Sequence, residues 1–183
     1  MCSLRSWPRV ILGAALLLAA GALPRAAAAR PAGAAGADSV RVNSYLWYAP
    51  AARTVHVALD AAVGGNNGGM NFNGRSGGGA TITVPLGWKV RMRFTNQDAI
   101  PHSAIVIAGG PPVPAIPQTP AFAGAYTRDL TAGLNTGDGD DLNFKASAAG
   151  RYLIVCGVPG HGASGMWIRF DVAAEAGAPD YAM

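Results

Sequence analysis

The chain has 183 residues, of which half are hydrophobic and 13% are charged, and it contains 25 glycines and 13 prolines. This length suits one domain with a substantial core and is short for two. The net charge of +4 comes mostly from Arg5, Arg9 and Arg25 near the start of the sequence, and without a basic stripe or an acidic run the composition does not indicate a nucleic-acid partner.

Residues 1–29 have the pattern of a secretory signal peptide. Arg5 and Arg9 precede an apolar run, Val10 to Leu23, and small residues at Ala26 to Ala29 suit a cleavage site. The apolar run is shorter than the roughly 20 residues that a membrane helix needs. We therefore predict an exported protein, periplasmic or on the outer face of the cytoplasmic membrane, without stable membrane insertion once the signal is cleaved. An uncleaved anchor is the alternative.

The remaining chain is predicted to form one all-β domain. We expect a flexible leader at 30–38, the domain at 39–175 and a flexible tail at 176–183. Many short strand-like segments separated by glycine and proline turns are typical of an antiparallel sandwich or barrel. The predicted strands are 40–48, 54–59, 70–73, 80–84, 88–95, 103–107, 142–145, 151–156 and 166–172.

Three further segments have biased composition. Two glycine-rich stretches, 64–69 and 74–79, lack the strand-then-helix context of a phosphate-binding loop and are interpreted as turns. The proline-rich stretch 111–120 cannot be a central strand, because proline donates no ladder hydrogen bond. Residues 121–134 are predicted to contain a short helix.

The loop from Cys156 to Met166 carries the main chemical signal. It places a thiol, an imidazole (His161) and a thioether in a short segment rich in glycine and proline, between two strand-like runs. Cys2 leaves with the predicted signal, so Cys156 would be the only thiol of an exported protein. An unpaired thiol there is prone to oxidation, which a bound metal would prevent.

A second histidine would complete a metal site. His56 has the strand parity opposite to that of the apolar Val55 and Val57, which predicts a surface position. His102 instead follows a polar turn and opens an apolar run, so it can reach a distant strand-end loop. Zinc also accepts cysteine and histidine, but a thiolate, two imidazoles and a thioether suit copper better.

These motifs resemble the cupredoxins, the small blue-copper proteins. The order Cys, four residues, His, four residues, Met, with an upstream histidine at a strand start, is similar to theirs. More narrowly, 71–74, 84–88, 94–97, Pro101-His102 and the loop 156–167 resemble the sulfocyanins, and the four-residue spacings are also those of rusticyanin. The resemblance covers residues 40–172 and implies a Greek-key sandwich or barrel of about eight strands.

The resemblance also implies roles for individual residues. His102, Cys156 and His161 would bind one type 1 copper ion in a trigonal plane, with Met166 as a weak axial ligand. Ser103 stands where this family often has Asn, and it can still tie the two ligand loops together. The N–H groups of Ser103 and Val158 would donate to the thiolate sulfur. We expect a high reduction potential, because such hydrogen bonds stabilise the reduced form.

Three functions follow as alternatives. The first is a monomeric one-electron carrier in an extracytoplasmic respiratory chain, whose partners would be redox proteins such as a c-type cytochrome or a terminal oxidase subunit. The second is a copper-delivery protein without an electron-transfer role. The third, an enzyme with Cys156 as nucleophile and His161 as base, lacks an evident orienting group and oxyanion site, so a non-enzymatic role is predicted.

Overall fold

The computed structural model describes residues 38–117 and 119–183. The predicted signal peptide and nearly all of the predicted leader lie outside this range. The described strands are β1 (Val40–Arg41), β2 (Leu46–Ala49), β3 (Thr54–Ala61), β4 (Thr81–Pro85), β5 (Lys89–Asn96), β6 (Ile105–Ala108), β7 (Gly139–Lys145), β8 (Gly150–Val155), β9 (Trp167–Ala173) and β10 (Asp180–Ala182).

The strands form two five-stranded sheets. The first sheet has the order β1-β2-β3-β5-β7 and the second β10-β4-β9-β8-β6. The pairs β3·β5 and β4·β9 are parallel, and all other pairs are antiparallel. The predicted all-β sandwich is confirmed, although it has ten strands and not about eight.

Alternating side chains explain why the sheets face each other. On β5, Val90, Met92 and Phe94 are buried whereas Lys89 and the two arginines are exposed. Since successive side chains point to opposite faces of a strand, this pattern fixes which face meets the core. The apolar faces of both sheets join in one cluster that includes Cys156 and Met166, so the ligand loop is built into the core.

The chain terminus is not frayed, contrary to our prediction for 176–183. Strand β10 pairs with β4, and Tyr181 is 5% exposed. Its hydroxyl lies 3.1 Å from the side-chain nitrogen of Asn73 and its ring contacts Tyr45 edge-on. The tail therefore closes one edge of the second sheet.

Three other local predictions were wrong. The predicted first strand is broken after Arg41, because the Asn43 side chain accepts hydrogen bonds from the N–H groups of Tyr45 and Leu46 and forms a turn. Residues 70–73 form no strand, only bridges made by Phe72. Residues 121–134 form turns and bridges and contain no helix.

A 3-10 segment, Val63–Gly69, runs through the first glycine-rich stretch and contains left-handed backbone. Within 38–117 and 119–183, no helix has the length and apolar character needed to cross a bilayer.

Candidate metal centre

The loop between β8 and β9 places the cysteine and the methionine side by side. The N–H of Cys156 donates to the carbonyl of Met166 at 3.0 Å, which continues the antiparallel ladder of the two strands by one residue. Opposed residues of such a ladder point to the same face. Both side chains are fully buried, so the thiol and the thioether lie on the core side of the second sheet.

The same loop is folded back on itself. The N–H of His161 donates to the carbonyl of Val158 at 3.1 Å, and the N–H of Met166 donates to the carbonyl of His161 at 3.0 Å. Gly165 has a φ of +96°, a left-handed conformation that favours glycine. These turns bring His161 back towards Cys156.

Neighbouring segments hold the loop from outside. The Asn67 side chain donates to the carbonyl of Ser164 at 2.9 Å, and the N–H of Gly77 donates to the carbonyl of Gly165 at 2.8 Å. The N–H of Gly160 donates to the carbonyl of Ala115 in the proline-rich stretch at 2.9 Å. The glycine-rich turns and the proline-rich stretch therefore support the loop rather than forming separate sites.

His102 reaches the loop from the first turn before β6. Its backbone pairs with Leu134, with N–H to carbonyl distances of 3.3 and 2.8 Å, and its side chain is 1% exposed. The fully buried side chain of Asn96 donates to the same Leu134 carbonyl at 2.8 Å. This bridge fixes the histidine at the end of the sandwich.

Three donor atoms converge at this end. The distances are 3.9 Å from Cys156 Sγ to His102 Nδ1, 3.6 Å from Sγ to His161 Nδ1, and 3.2 Å between the two Nδ1 atoms. A point equidistant from all three lies about 2.1 Å from each, within the range of about 2.0 to 2.3 Å for metal bonds to nitrogen and sulfur. The cluster fits a three-coordinate metal without rearrangement.

Ser103 joins the two ligand-bearing segments. Its N–H lies 3.5 Å from Cys156 Sγ, and its hydroxyl donates to the Leu130 carbonyl at 2.6 Å while accepting the N–H of Gly157 at 2.9 Å. The hydroxyl oxygen is 3.9 Å from Sγ. One side chain therefore satisfies two backbone groups and lies beside the thiol.

The protonation behaviour of the three groups suits metal binding. Burial raises the pKa of the Cys156 thiol, and the N–H groups of Ser103 and Val158 partly oppose that rise. Burial lowers the pKa of His161, and burial followed by the charge of His161 lowers the pKa of His102. The imidazoles thus stay neutral to lower pH than ordinary histidines, and binding of a metal to the thiol must release a proton.

Asp98 is a residue that the sequence analysis did not single out. Its Oδ2 lies 3.6 Å from Nε2 of His102, a buried nitrogen without a closer partner among the described residues. A carboxylate there favours the tautomer that carries its proton on Nε2, and so leaves the Nδ1 lone pair facing the cysteine. The signal in the sequence that could have identified Asp98 is its position, four residues before the candidate ligand His102.

Gly69 makes room for this carboxylate. Its φ is +88°, and a Cβ at this position would lie 2.5 Å from Asp98 Oδ2. The first glycine-rich stretch therefore supports both sides of the centre, the loop through Asn67 and His102 through Asp98.

Replacing Asp98 with Asn should raise the reduction potential of a copper-loaded centre by tens of millivolts. Removing the negative charge disfavours the more highly charged oxidised metal, and about 1 kcal/mol of charge interaction corresponds to roughly 40 mV for a one-electron couple. Redox titration measures the shift. The control is Asp171→Asn on the second sheet, and an equal shift in both variants would contradict a local effect.

His56 does not join the cluster. It is half-buried rather than fully on the surface, and its ring stacks on Trp47 with centroids 5.3 Å apart and planes within 5°. In the described part of the chain, His102, Cys156 and His161 are the group of three or more potential ligands that come together.

The Sulfocyanin (SoxE) domain matches residues 42–183. The chain belongs to the sulfocyanin family. Sulfocyanins are cupredoxins, blue-copper electron carriers that bind one copper ion. The resemblance and the copper cofactor predicted from the sequence are confirmed at the level of this family, and the site's two nitrogens and one sulfur agree with it.

Two curated relatives are similar to this sulfocyanin-family chain. Sulfocyanin of Sulfolobus acidocaldarius is 32% identical over 127 residues, which cover 66% of this chain and 64% of the relative. Auracyanin-B of Chloroflexus aurantiacus is 30% identical over 99 residues, which cover 47% of this chain and 42% of the relative. The chain therefore spans less than two thirds of the length of either relative.

Solved structures support the same fold. Reduced rusticyanin has a TM-score of 0.54 and 27% identity, with 66% of this chain and 80% of that chain covered. A second rusticyanin structure, described as a copper protein, has a TM-score of 0.52 and 27% identity, with 66% and 78% covered.

Proposed function

We propose that His102, Cys156 and His161 bind a single copper ion in a plane, with Met166 as a weak axial ligand. This proposal rests mainly on the distances between Sγ and the two Nδ1 atoms, which leave a space of the size of a metal ion among the three donors. A thiolate with two imidazoles and a distant thioether is the donor set of blue-copper electron-transfer sites. The family membership and the rusticyanin described as a copper protein support the same metal.

Copper bound there would supply a one-electron couple between Cu(I) and Cu(II). The protein's part is to keep the donors in place in both states. Cys156, Met166 and Ser103 are fully buried, and the loop is hydrogen-bonded to the glycine-rich and proline-rich segments. A rigid, water-excluding site needs little rearrangement when an electron moves.

Electrons would pass to a partner protein through the half-buried ring of His161. Around it, the loop presents neutral side chains, with Val158 partly exposed and Pro159 and Ala163 exposed. Ile116 is 46% exposed and directly follows Ala115, which is bonded to the loop. A small neutral surface of this kind suits brief encounters with a redox protein.

We further infer that the chain is a monomeric, non-enzymatic carrier in an extracytoplasmic respiratory chain. Its partners would be a c-type cytochrome or a terminal oxidase subunit. The secretory pattern of residues 1–29, the single thiol in the described part of the chain and the family's carriers support this placement.

The test is electron exchange by the copper-loaded protein. We expect an intense blue band, a reversible one-electron wave in voltammetry, and bleaching of the band on mixing with a reduced c-type cytochrome. A colourless protein that binds Cu(I), shows no wave and gives its copper to a chelator would contradict electron transfer and support copper delivery.

Met166 can be tested separately. Met166→Leu should keep the blue colour and raise the reduction potential, because a thioether stabilises the oxidised metal and leucine cannot. The swap conserves volume and costs less than about 1.5 kcal/mol of stability. Met92→Leu, in the core of β5, is the matched control and should leave the potential unchanged. Loss of copper binding in Met166→Leu would show that the thioether is more than a weak ligand.

A further inference from the structure

One row of side chains crosses the whole outer face of the first sheet. The register pairs Arg41 with Trp47, Trp47 with His56, His56 with Arg91, and Arg91 with Asn143. These residues have the strand parity opposite to the buried Val55 and Val90, so they point away from the core. The row is a continuous strip over five strands.

The neighbouring rows add more positive charge. Lys89 lies directly opposite Lys145, and Arg93 lies opposite Asp141, with which it forms an exposed ion pair of 3.0 Å. We call the exposed cations Arg41, Lys89, Arg91, Arg93 and Lys145, together with Trp47, the basic face. Two acidic residues share this side of the sheet. Asp60 is 9% exposed, so Asp141 is the one exposed acid on the basic face among the described residues.

This concentration is not a consequence of overall composition. All ten acidic residues and ten of the 14 basic residues belong to the described ranges, which are therefore neutral as a whole. Like charges directly opposite on a sheet are destabilising. Lys89 and Lys145 face each other, and no acid lies within ion-pair distance of either in 38–117 or 119–183. An anionic surface laid against this face would remove that repulsion.

Trp47 indicates what kind of anionic surface fits. The Arg41 guanidinium lies 5.6 Å from the Trp47 ring centroid, and the His56 ring stacks on the same side chain. Tryptophan beside arginine and lysine side chains is the composition that favours the headgroup region of a bilayer, where phosphates attract the cations and the ring lies at the interface.

We propose that the basic face docks the protein on a membrane surface rich in anionic phospholipid. The copper-ligand loop belongs to the second sheet and to one end of the sandwich. Docking through the first sheet would therefore leave His161 free to meet a redox partner that lies in or on the same membrane. The inference rests on charge and sheet register and does not depend on the copper assignment.

The experiment measures sedimentation of the copper-loaded full chain with vesicles of phosphatidylcholine alone, or with one third phosphatidylglycerol, at low and high salt. The test variant is Lys89→Gln, Arg91→Gln, Lys145→Gln. The control has the same charge change outside the face: Arg75→Gln, Arg128→Gln, Arg151→Gln. Circular dichroism checks the folding of each variant, and the full chain carries residues 1–29 equally in every variant.

We expect wild type to prefer the anionic vesicles and to lose that preference in high salt. The test variant should bind them about 100-fold more weakly, since each of the three cations near an anionic membrane contributes roughly a fivefold change. The control should stay within a few-fold of wild type. Equal losses in both variants would show that net charge alone acts, and would overturn the proposal.

Two other results would also overturn it. Equal binding to neutral and anionic vesicles would mean that the apolar segment 10–23 accounts for the attachment. The second result is that the wild type does not bind vesicles, while the test variant exchanges electrons more slowly with an acidic redox protein. The basic face would then dock a protein and not a membrane. Salt dependence of the wild type gives a readout that needs no variant.

Discussion

Replacing Cys156 with serine is expected to abolish the blue band of the copper-loaded protein and to weaken copper binding by more than about 100-fold. Loss of groups that merely support metal ligands costs about 10–100-fold in affinity, and the cysteine is a ligand itself. The serine hydroxyl is nearly isosteric but is not deprotonated at neutral pH, so it offers no thiolate to the metal. Visible absorption and competition with a copper chelator measure the two effects.

The matched control for this change is Cys2→Ser. Cys2 lies in the predicted signal, so its removal should leave the spectrum and affinity of the protein unchanged. A thermal melt of the metal-free proteins separates loss of copper binding from loss of the fold. Retention of an intense blue band by the Cys156 variant would refute the proposed ligand set.

Replacing Ser103 with alanine should lower both the stability and the reduction potential. The hydroxyl is the partner of the Gly157 N–H and of the Leu130 carbonyl, and each buried group left without a partner costs about 1–3 kcal/mol. Without this bridge the Ser103 N–H is held less firmly near Sγ, so the thiolate loses part of the interaction that favours Cu(I).

Denaturant unfolding of the metal-free protein and redox titration of the loaded protein measure the two effects of Ser103→Ala. Ser147→Ala, at an exposed position between β7 and β8, is the control and should change neither. A loss of stability without any fall in potential would mean that Ser103 supports the loops but does not act on the sulfur.

Much of the centre could be predicted from the sequence because its parts are close in the chain. Cys156, His161 and Met166 share one loop, and the spacing of such a loop is visible directly. His102 could be chosen over His56 for two reasons. The strand parity of His56 places it on the outer face of a sheet, whereas His102 lies at the start of an apolar run. The alternation along β5 was equally clear, since it rests on neighbouring residues only.

The features that were missed depend on long-range placement. Strand β10 has three residues and one buried side chain, Tyr181, which is too short for a periodic signal, and its stability comes from pairing with β4. Asp98 is significant only because the turn before His102 aims its carboxylate at Nε2. The sequence does not show that direction, which also requires a glycine at position 69, far away in the chain, to leave room for the carboxylate.

The contacts of Ser103 with Leu130 and Gly157 bear on the order of events in folding. Gly157 packs so closely on Leu130 that a Cβ at this position would clash with the leucine side chain. The contact between His102 and Cys156 closes a chain segment 54 residues long. Such non-local contacts form late in folding, because the entropy of closing the segment is lost before the contact is gained. The donor atoms of His102 and Cys156 should therefore come together only after the two sheets have joined, which makes the assembled site a late product of folding.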